Sequence, residues 1–282
     1  MNLIKKFLFS FKRKKKIFFL NYKNDKKFIH ENLKYERILG IDTEFDWRNT
    51  YFPNLCLIQI ATKKNIFLID CLGLREAKSL EKILCDKELL IFHSVRSDTT
   101  VLSSALNIKV KNVYDIQLAE NILSGNGNLN YGSIVKNYFP VKLKKSETNS
   151  NWSKRPLTKT QMDYAADDVE YLIDIFYMQK KKLNRKFETV ISRSRKEAIL
   201  GNKELYVPRL KKIDNASDLE KKIFLWREKI AMKKNVPPSY IFKDKKIKLL
   251  LKSLKIDKSF ESINLIVRDN RLALSLFEEI SL

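Results

Sequence analysis

From Ile17 onward, short apolar runs alternate with stretches in which apolar side chains recur every three or four positions. The runs predict strands at 17–20, 38–44, 55–61, 66–70 and 89–93, and the spaced stretches predict helices at about 25–33, 76–84 and 97–105. Such alternation predicts an α/β domain built on a mixed sheet. Farther along, helical spacing takes over at 116–123, at 131–138, and in a long element from about 158 to 185 that continues through 198. Gly125, Gly127 and Gly132 mark the loop between the first two. The apolar pattern then lapses, and a second helical module begins, broken by Pro237-Pro238 and by the turn at Arg268-Asp269-Asn270. The organisation read from this pattern is a basic arm over 1–16, an α/β domain over 17–205, a linker over 206–216 and a small all-α domain over 217–282. No repeat of fixed period stands out, which argues against a solenoid.

Composition narrows the class. The 282 residues are 44% hydrophobic and 11% aromatic, enough for a buried core and against a disordered chain. Lys and Arg number 56 against 33 Asp and Glu, a formal net charge of +23 that favours a polyanionic partner. Abundant Lys, Ile and Asn throughout make part of that excess a compositional background. Cys56, Cys71 and Cys85 are odd in number and lack metal-ligand spacing, so they are expected to be reduced core thiols of a cytoplasmic protein. Lysines interrupt every apolar run of MNLIKKFLFSFKRKKKIFFL, which leaves no signal-peptide core and no transmembrane span. Leu3, Ile4, Phe7, Leu8 and Phe11 recur at helical spacing, so a membrane-surface helix is one reading of this arm. The favoured reading is a basic arm whose Lys12, Arg13 and Lys14 contact nucleic acid.

Candidate chemistry begins in GIDTEFDW, Gly40 to Trp47. Asp42 and Glu44 lie two apart on a predicted strand and so point to one face, where they repel each other unless a cation such as a divalent metal lies between them. A solvated strand end is the alternative. Asp98 shares a helical stripe with Val101, Leu102 and Ala105, either as an inward acid or as a first-turn acid favoured by the helix dipole. In the long helix, Asp163, Asp167, Glu170 and Asp174 form one solvated stripe, whereas Asp168 falls with Tyr164, Tyr171, Leu172 and Ile175 on the apolar side. Tyr164, one turn before Asp168, is either core or part of a site.

Asp42-x-Glu44, Asp98 and Tyr164-x-x-x-Asp168 resemble the three motifs of the exonuclease superfamily named for its Asp-Glu-Asp-Asp ligands, in the branch with a tyrosine in the third motif. The segments IDTEFDWRNTYFPNLCLIQIA, VYDIQLAENIL and NWSKRPLTKTQMDYAADDVEYL are similar to the ribonuclease D family over roughly 17–200. LEKKIFLWREKIAMKKNVPPSYIFKD is similar to one helicase and ribonuclease D C-terminal (HRDC) domain, a helical nucleic-acid-binding unit in which Trp226 would be core. The chain departs from the family at Leu143-Lys144-Lys145 and at Ser150-Asn151-Trp152, where relatives commonly carry Leu-Asp-Lys and Ser-Asp-Trp.

The resemblance implies a ribonuclease H-like domain and hydrolysis of RNA from its 3′ end to nucleoside 5′-monophosphates with two Mg²⁺ or Mn²⁺ ions. It implies that Asp42 bridges the metals, that Glu44 and Asp168 help hold the one that activates water, and that Asp98 holds the second through its water shell. Tyr164 would hydrogen-bond the nucleophile as an orienter, since an ordinary phenol has a pKa of about 10. The implied substrate is RNA with a single-stranded 3′ end, as in trimming of transfer RNA or other stable RNA precursors, taken by a monomer. Phe45 and Trp47 are candidates to flank the terminal base, with Phe45 on the strand face opposite the acids, and His93 is expected to sit satisfied beneath the site. The ligands do not report the sugar, so a DNA 3′-5′ exonuclease is the first rival. A catalytically silent nucleic-acid-binding protein is the second.

Overall fold

Alternate side chains of each central strand enter two different cores. Leu39, Ile41, Ile58, Ile60, Phe67, Ile69, Leu90 and Phe92 pack on one face of a sheet, and Leu57, Ala61, Ile66, Leu68, Ile91 and Tyr114 pack on the other. The computed structural model describes residues 15–143 and 146–281. Its six strands are β1 (Lys16–Asn21), β2 (Ile38–Asp46), β3 (Asn54–Ala61), β4 (Asn65–Asp70), β5 (Leu89–Phe92) and β6 (Val113–Asp115), in the order β1-β4-β3-β2-β5-β6. The sheet is mixed: β1 runs parallel to β4, β4 antiparallel to β3, and β2, β5 and β6 parallel to one another. Strand β6 has only three residues and carries no periodicity of its own, so the apolar pattern missed it.

The first face is covered by α1 (Tyr22–Leu33), α2 (Lys78–Cys85) and α3 (Val95–Leu106). The second is covered by α4 (Ile116–Ser124), α5 (Tyr131–Tyr138), α6 (Lys159–Glu170) and α7 (Leu172–Leu183), followed by α8 (Phe187–Gly201). The single long helix expected over 158–185 and onward is therefore three. At Tyr171 the backbone N–H turns to the Tyr131 hydroxyl at 3.2 Å, and at Asn184 φ is +47°, outside the helical region. Cys56 and Cys71 are buried, but Cys85 is exposed at the end of α2, which corrects its expected core position.

Residues 47–54 and 203–282 form a second compact unit. Its helices are α9 (Tyr206–Leu210), α10 (Asp218–Lys234), α11 (Pro238–Ile241), α12 (Asp244–Ser253), α13 (Phe260–Val267) and α14 (Asn270–Ser281). Trp226 is 1% exposed at the centre of its core, with Ile223, Leu250, Ile263 and Leu276 around it. The stretch expected as a linker thus carries a short helix, α9, whose Arg209 reaches the buried Glu228 at 2.8 Å. Asn235 accepts from the backbone N–H groups of Tyr51 and Phe52 at 3.2 and 3.1 Å, which ties residues 47–54 into this unit. Among the described residues no helix is long and apolar enough to cross a membrane.

Candidate active site

Strand alternation places Gly40, Asp42 and Glu44 on the face covered by α6 and α7. A Cβ at Gly40 would meet the Leu172 Cβ at 3.1 Å, so glycine allows α7 to approach β2 closely. That approach brings Asp168, on α6, over the strand. One carboxylate oxygen from each of Asp42, Glu44 and Asp168 lies within 4.8 Å of the other two. They face a cavity of about 380 Å³ whose wall also includes Thr43, His93, Tyr131, Thr148 and Tyr164.

Asp98 comes from the opposite layer. It lies on α3, is 4% exposed, and accepts a 2.7 Å hydrogen bond from Thr43 Oγ1. Among the described residues it is neither part of the close trio nor on the cavity wall. Its charge still reaches Asp42 and Glu44. Asp115 fixes the helix that carries it. The Asp115 carboxylate accepts from the backbone N–H groups of Ser94 and Val95 at 3.0 Å each, and from Gln117 N–H at 2.8 Å, so one side chain anchors the starts of α3 and α4.

Burial dominates the electrostatics. It raises the Asp42 carboxyl well above its usual range, and Asp98, Asp168 and Glu44 raise it further by repulsion. Glu44 is pushed up to about 9 by burial and then by Asp168 and Asp98. Burial lifts Asp98 to about 7 against the bonds from Thr43, and lifts Asp168 to about 7 against the hydrogen bond from Tyr164. No lysine or arginine among the described residues forms an ion pair with these acids. Acids held this way are neutral or are balanced by a cation from outside the chain. Their hard oxygen donors and close grouping fit divalent metal ions.

Tyr164 lies beside Asp168, and its hydroxyl is 3.3 Å from Thr148 Oγ1. Burial and then the neighbouring acids raise its pKa. His93 is both satisfied and on the wall: its Nε2 is 3.0 Å from the Leu129 carbonyl, and burial lowers its pKa. Phe45 packs, partly buried, against the core on the far face of the sheet and is not on the cavity wall. Trp47, 41% exposed, belongs to the second unit and donates its indole N–H to the Tyr51 carbonyl at 2.8 Å. Lys12, Arg13 and Lys14 lie outside the described residues. Thr43, Asp115, Tyr131 and Thr148 were not singled out from the sequence. Asp115 was accessible as an N-cap before the apolar run of α4, whereas Thr43, Tyr131 and Thr148 become visible only through partners far along the chain.

Residues 17–184 match the family model described as 3′-5′ exonuclease. The chain belongs to this exonuclease family. Residues 216–258 match the HRDC domain. Ribonuclease D of Desulfotalea psychrophila is 31% identical over 234 residues, covering 78% of this chain and 62% of that protein. The chain thus spans less than two thirds of the length of this relative. A crystal structure of Escherichia coli RNase D matches with a TM-score of 0.81 at 20% identity, over 94% of this chain and 76% of the other. Brucella melitensis NrnC with bound Mg²⁺ matches with a TM-score of 0.59 at 20% identity, over 72% and 99%. At these identities the two structures bear on the fold alone, an α/β mixed sheet with a helical C-terminal region.

Proposed function

We propose that this exonuclease is a metal-dependent 3′-5′ exoribonuclease of the ribonuclease D type, hydrolysing the terminal phosphodiester of RNA to release nucleoside 5′-monophosphates. The observation that carries the reading is the trio of partly buried acids facing one cavity with no cation supplied by the described residues. Asp42, Glu44 and Asp168 would hold divalent ions, Mg²⁺ or Mn²⁺ and two in number by the family pattern. Asp98 would act from behind Thr43, through water. Such ions, when bound, supply charge stabilisation to the attacking and leaving oxygens of a phosphodiester displacement.

The chain's own groups do the positioning. Thr43 fixes Asp98 by its hydroxyl, and Asp115 fixes the helix that carries it. Tyr164 keeps its proton at neutral pH, because burial and the neighbouring acids oppose its ionisation. Its hydroxyl is thus an orienting donor for the attacking water and not a base. Neutral His93 adds no positive charge to the wall.

RNA as substrate is supported by the ribonuclease D relatives and by the formal charge of +23. Recessed carboxylates favour an unpaired 3′ end that threads into the cavity. We assign residues 17–205 to the exonuclease domain and 217–282 to an HRDC-like domain whose lysines contact phosphates without reading sequence. The protein acts as a monomer in the cytoplasm on this reading, in keeping with its free thiols. The test is nucleotide release from matched 3′-tailed RNA and DNA, with Mg²⁺, with Mn²⁺ and with chelator, comparing the native chain with Asp42→Ala. Metal-dependent release of 5′-monophosphates from RNA, lost in the variant, supports the reading. A preference for DNA replaces it with the DNA exonuclease, and tight RNA binding without release replaces it with a silent binding protein.

A further inference from the structure

Gln59, in the middle of β3, is fully buried, and neither the oxygen nor the nitrogen of its carboxamide has a hydrogen-bond partner among the described residues. Two other buried glutamines of the α/β unit are engaged. Gln179 donates to the Ile116 carbonyl and to Glu120, both at 3.0 Å, and Gln161 accepts from the Thr158 N–H at 3.0 Å. A buried amide without a partner opposes folding, so its presence calls for a reason.

Strand alternation and register place this side chain. Ile58 and Ile60 face the first core, whereas Leu57 and Ala61 face the second, so Gln59 points to the second face, which also carries Gly40, Asp42 and Glu44. Strand β3 is the sheet neighbour of β2. The Ala61 Cβ lies 3.4 Å from where a Cβ on Gly40 would be, and the Cys56 thiol meets the backbone of Asp46. These two ties run in opposite senses along the strands, so β2 and β3 are antiparallel. Two positions in from Gly40 and Ala61, Asp42 stands opposite Gln59. Side chains directly opposite each other in an antiparallel pair have Cβ atoms about 5 Å apart, a gap that a glutamine side chain spans. Helix α6 packs on β2 and on β4, the two neighbours of β3, so the helix that carries Asp168 crosses over Gln59. The carboxamide is thus enclosed between sheet and helix, beside one cavity acid and beneath the element that supplies another.

Asp42 has use for a donor. Among the described residues the hydrogen bond that favours its charged form comes from the Thr43 N–H, while Asp98, Asp168 and Glu44 oppose that form. A carboxylate that holds a metal also has oxygen lone pairs turned away from the ion, and donors to these fix its orientation. We propose that Gln59 is a positioning residue of the metal centre, its Nε2–H donating to the Asp42 carboxylate when that carboxylate holds a divalent cation. The inference rests on the reading of the cavity acids as a metal site. It gives the buried amide, in the loaded state, the partner that it lacks in the metal-free one, so cation binding and formation of this hydrogen bond favour each other.

The experiment uses the full chain and compares the native protein with Gln59→Met, which keeps the length of the side chain and removes the donor. Mn²⁺ titrated calorimetrically into the metal-free proteins is expected to bind the variant about tenfold more weakly. The Mn²⁺ concentration for half-maximal nucleotide release from 3′-tailed RNA is expected to rise by the same factor. The melting temperature of the metal-free variant is expected to equal or exceed the native value, because an unpartnered buried amide has been removed. A second readout needs no variant: the side-chain amide signal of Gln59, assigned in the ¹⁵N-labelled native chain through its bonds to the backbone. Saturation with Mg²⁺ is expected to move one of its two amide protons downfield and widen their separation, as a new charge-assisted hydrogen bond does. Native Mn²⁺ affinity in Gln59→Met, or an amide signal that Mg²⁺ leaves in place, overturns the positioning role and leaves a glutamine that only fills space. Failure of the native chain to bind Mn²⁺ overturns the metal reading itself, and this inference with it.

Discussion

Two groups of partly or fully buried acids in the α/β unit are balanced in opposite ways. Asp70, at the end of β4, meets Arg155 through two hydrogen bonds of 2.6 and 2.7 Å and accepts a third from the Leu72 N–H at 3.0 Å. Burial alone would raise its pKa, but the guanidinium and the N–H more than offset it and leave the carboxyl lowered. Glu120, on α4, receives Tyr138 at 2.7 Å, Gln179 at 3.0 Å and Asn137 at 3.3 Å. Both are supplied with donors by the chain. Asp42, Glu44 and Asp168 sit as a group in a cavity, repel one another and receive no cation from the described residues. The difference teaches that burial of an acid is not by itself a functional signal; repelling acids grouped in a cavity with neither a compensating charge nor a full set of donors are.

Substitutions should separate the two groups by both rate and stability. The largest effect expected is for Asp42→Asn, which should lower nucleotide release about 1,000-fold or more, corresponding to about 4 kcal/mol of lost charge stabilisation. Chemical denaturation of the metal-free variant should show unchanged or increased stability, because a buried repulsive acid has been removed. Equal destabilisation of this variant and of Asp70→Asn would break the comparison. Next, Tyr164→Phe should reduce turnover roughly 10- to 100-fold while divalent-ion affinity, measured by calorimetry, stays near that of the native chain. Asp70→Asn should cost about 2 kcal/mol in denaturant unfolding, below the cost of breaking a fully buried pair because Arg155 keeps partial access to water. Its turnover per folded molecule should be retained.

The smallest effect is the pH dependence of the metal-free protein. Between the ordinary 4.5 of a glutamate and about 9, folded Glu44 keeps a proton that the unfolded chain has lost. The folded state therefore binds more protons in that window, and stability falls as pH rises through it. Asp98 and Asp168 act with the same sign from 3.8 to about 7. The melting temperature without divalent ions should drop by a few degrees from pH 5 to pH 9. Added Mg²⁺ should oppose the drop, and Glu44→Gln should flatten it. A rise in melting temperature over the same range would show that the acids are balanced by something in the chain.

Much of this arrangement is written in local periodicity. The two-residue spacing of Asp42 and Glu44 fixes a shared strand face, and the place of Asp168 on the apolar side of its helix points it inward. The position of Asp98 is less legible, since its stripe fits equally an inward acid and a first-turn acid. What decides it is Thr43, on the opposite face of β2 from Asp42, and no local pattern links two residues 55 positions apart. The breaks at Tyr171 and Asn184 were hidden for a similar reason. Helical periodicity runs through them, and the group that takes the Tyr171 N–H is the hydroxyl of Tyr131, on another helix. Strand β6 is recognised only by its pairing with β5. The lapse of apolar pattern after 205 reflected a change of unit, but it concealed the short helix α9, whose polar contacts give no apolar stripe.

The central claim, that the partly buried cavity acids have no compensating cation among the described residues and take up a divalent one, is tested most directly by calorimetric titration of Mn²⁺ into the metal-free protein at pH 7 in buffers of different ionisation enthalpy. A protonated Glu44 must give up its proton to coordinate a metal. The account predicts saturable binding, an observed enthalpy that depends on the buffer with about one proton or more released per protein, and loss of that dependence in Glu44→Gln. Absence of binding, or binding with the same enthalpy in every buffer, would contradict it.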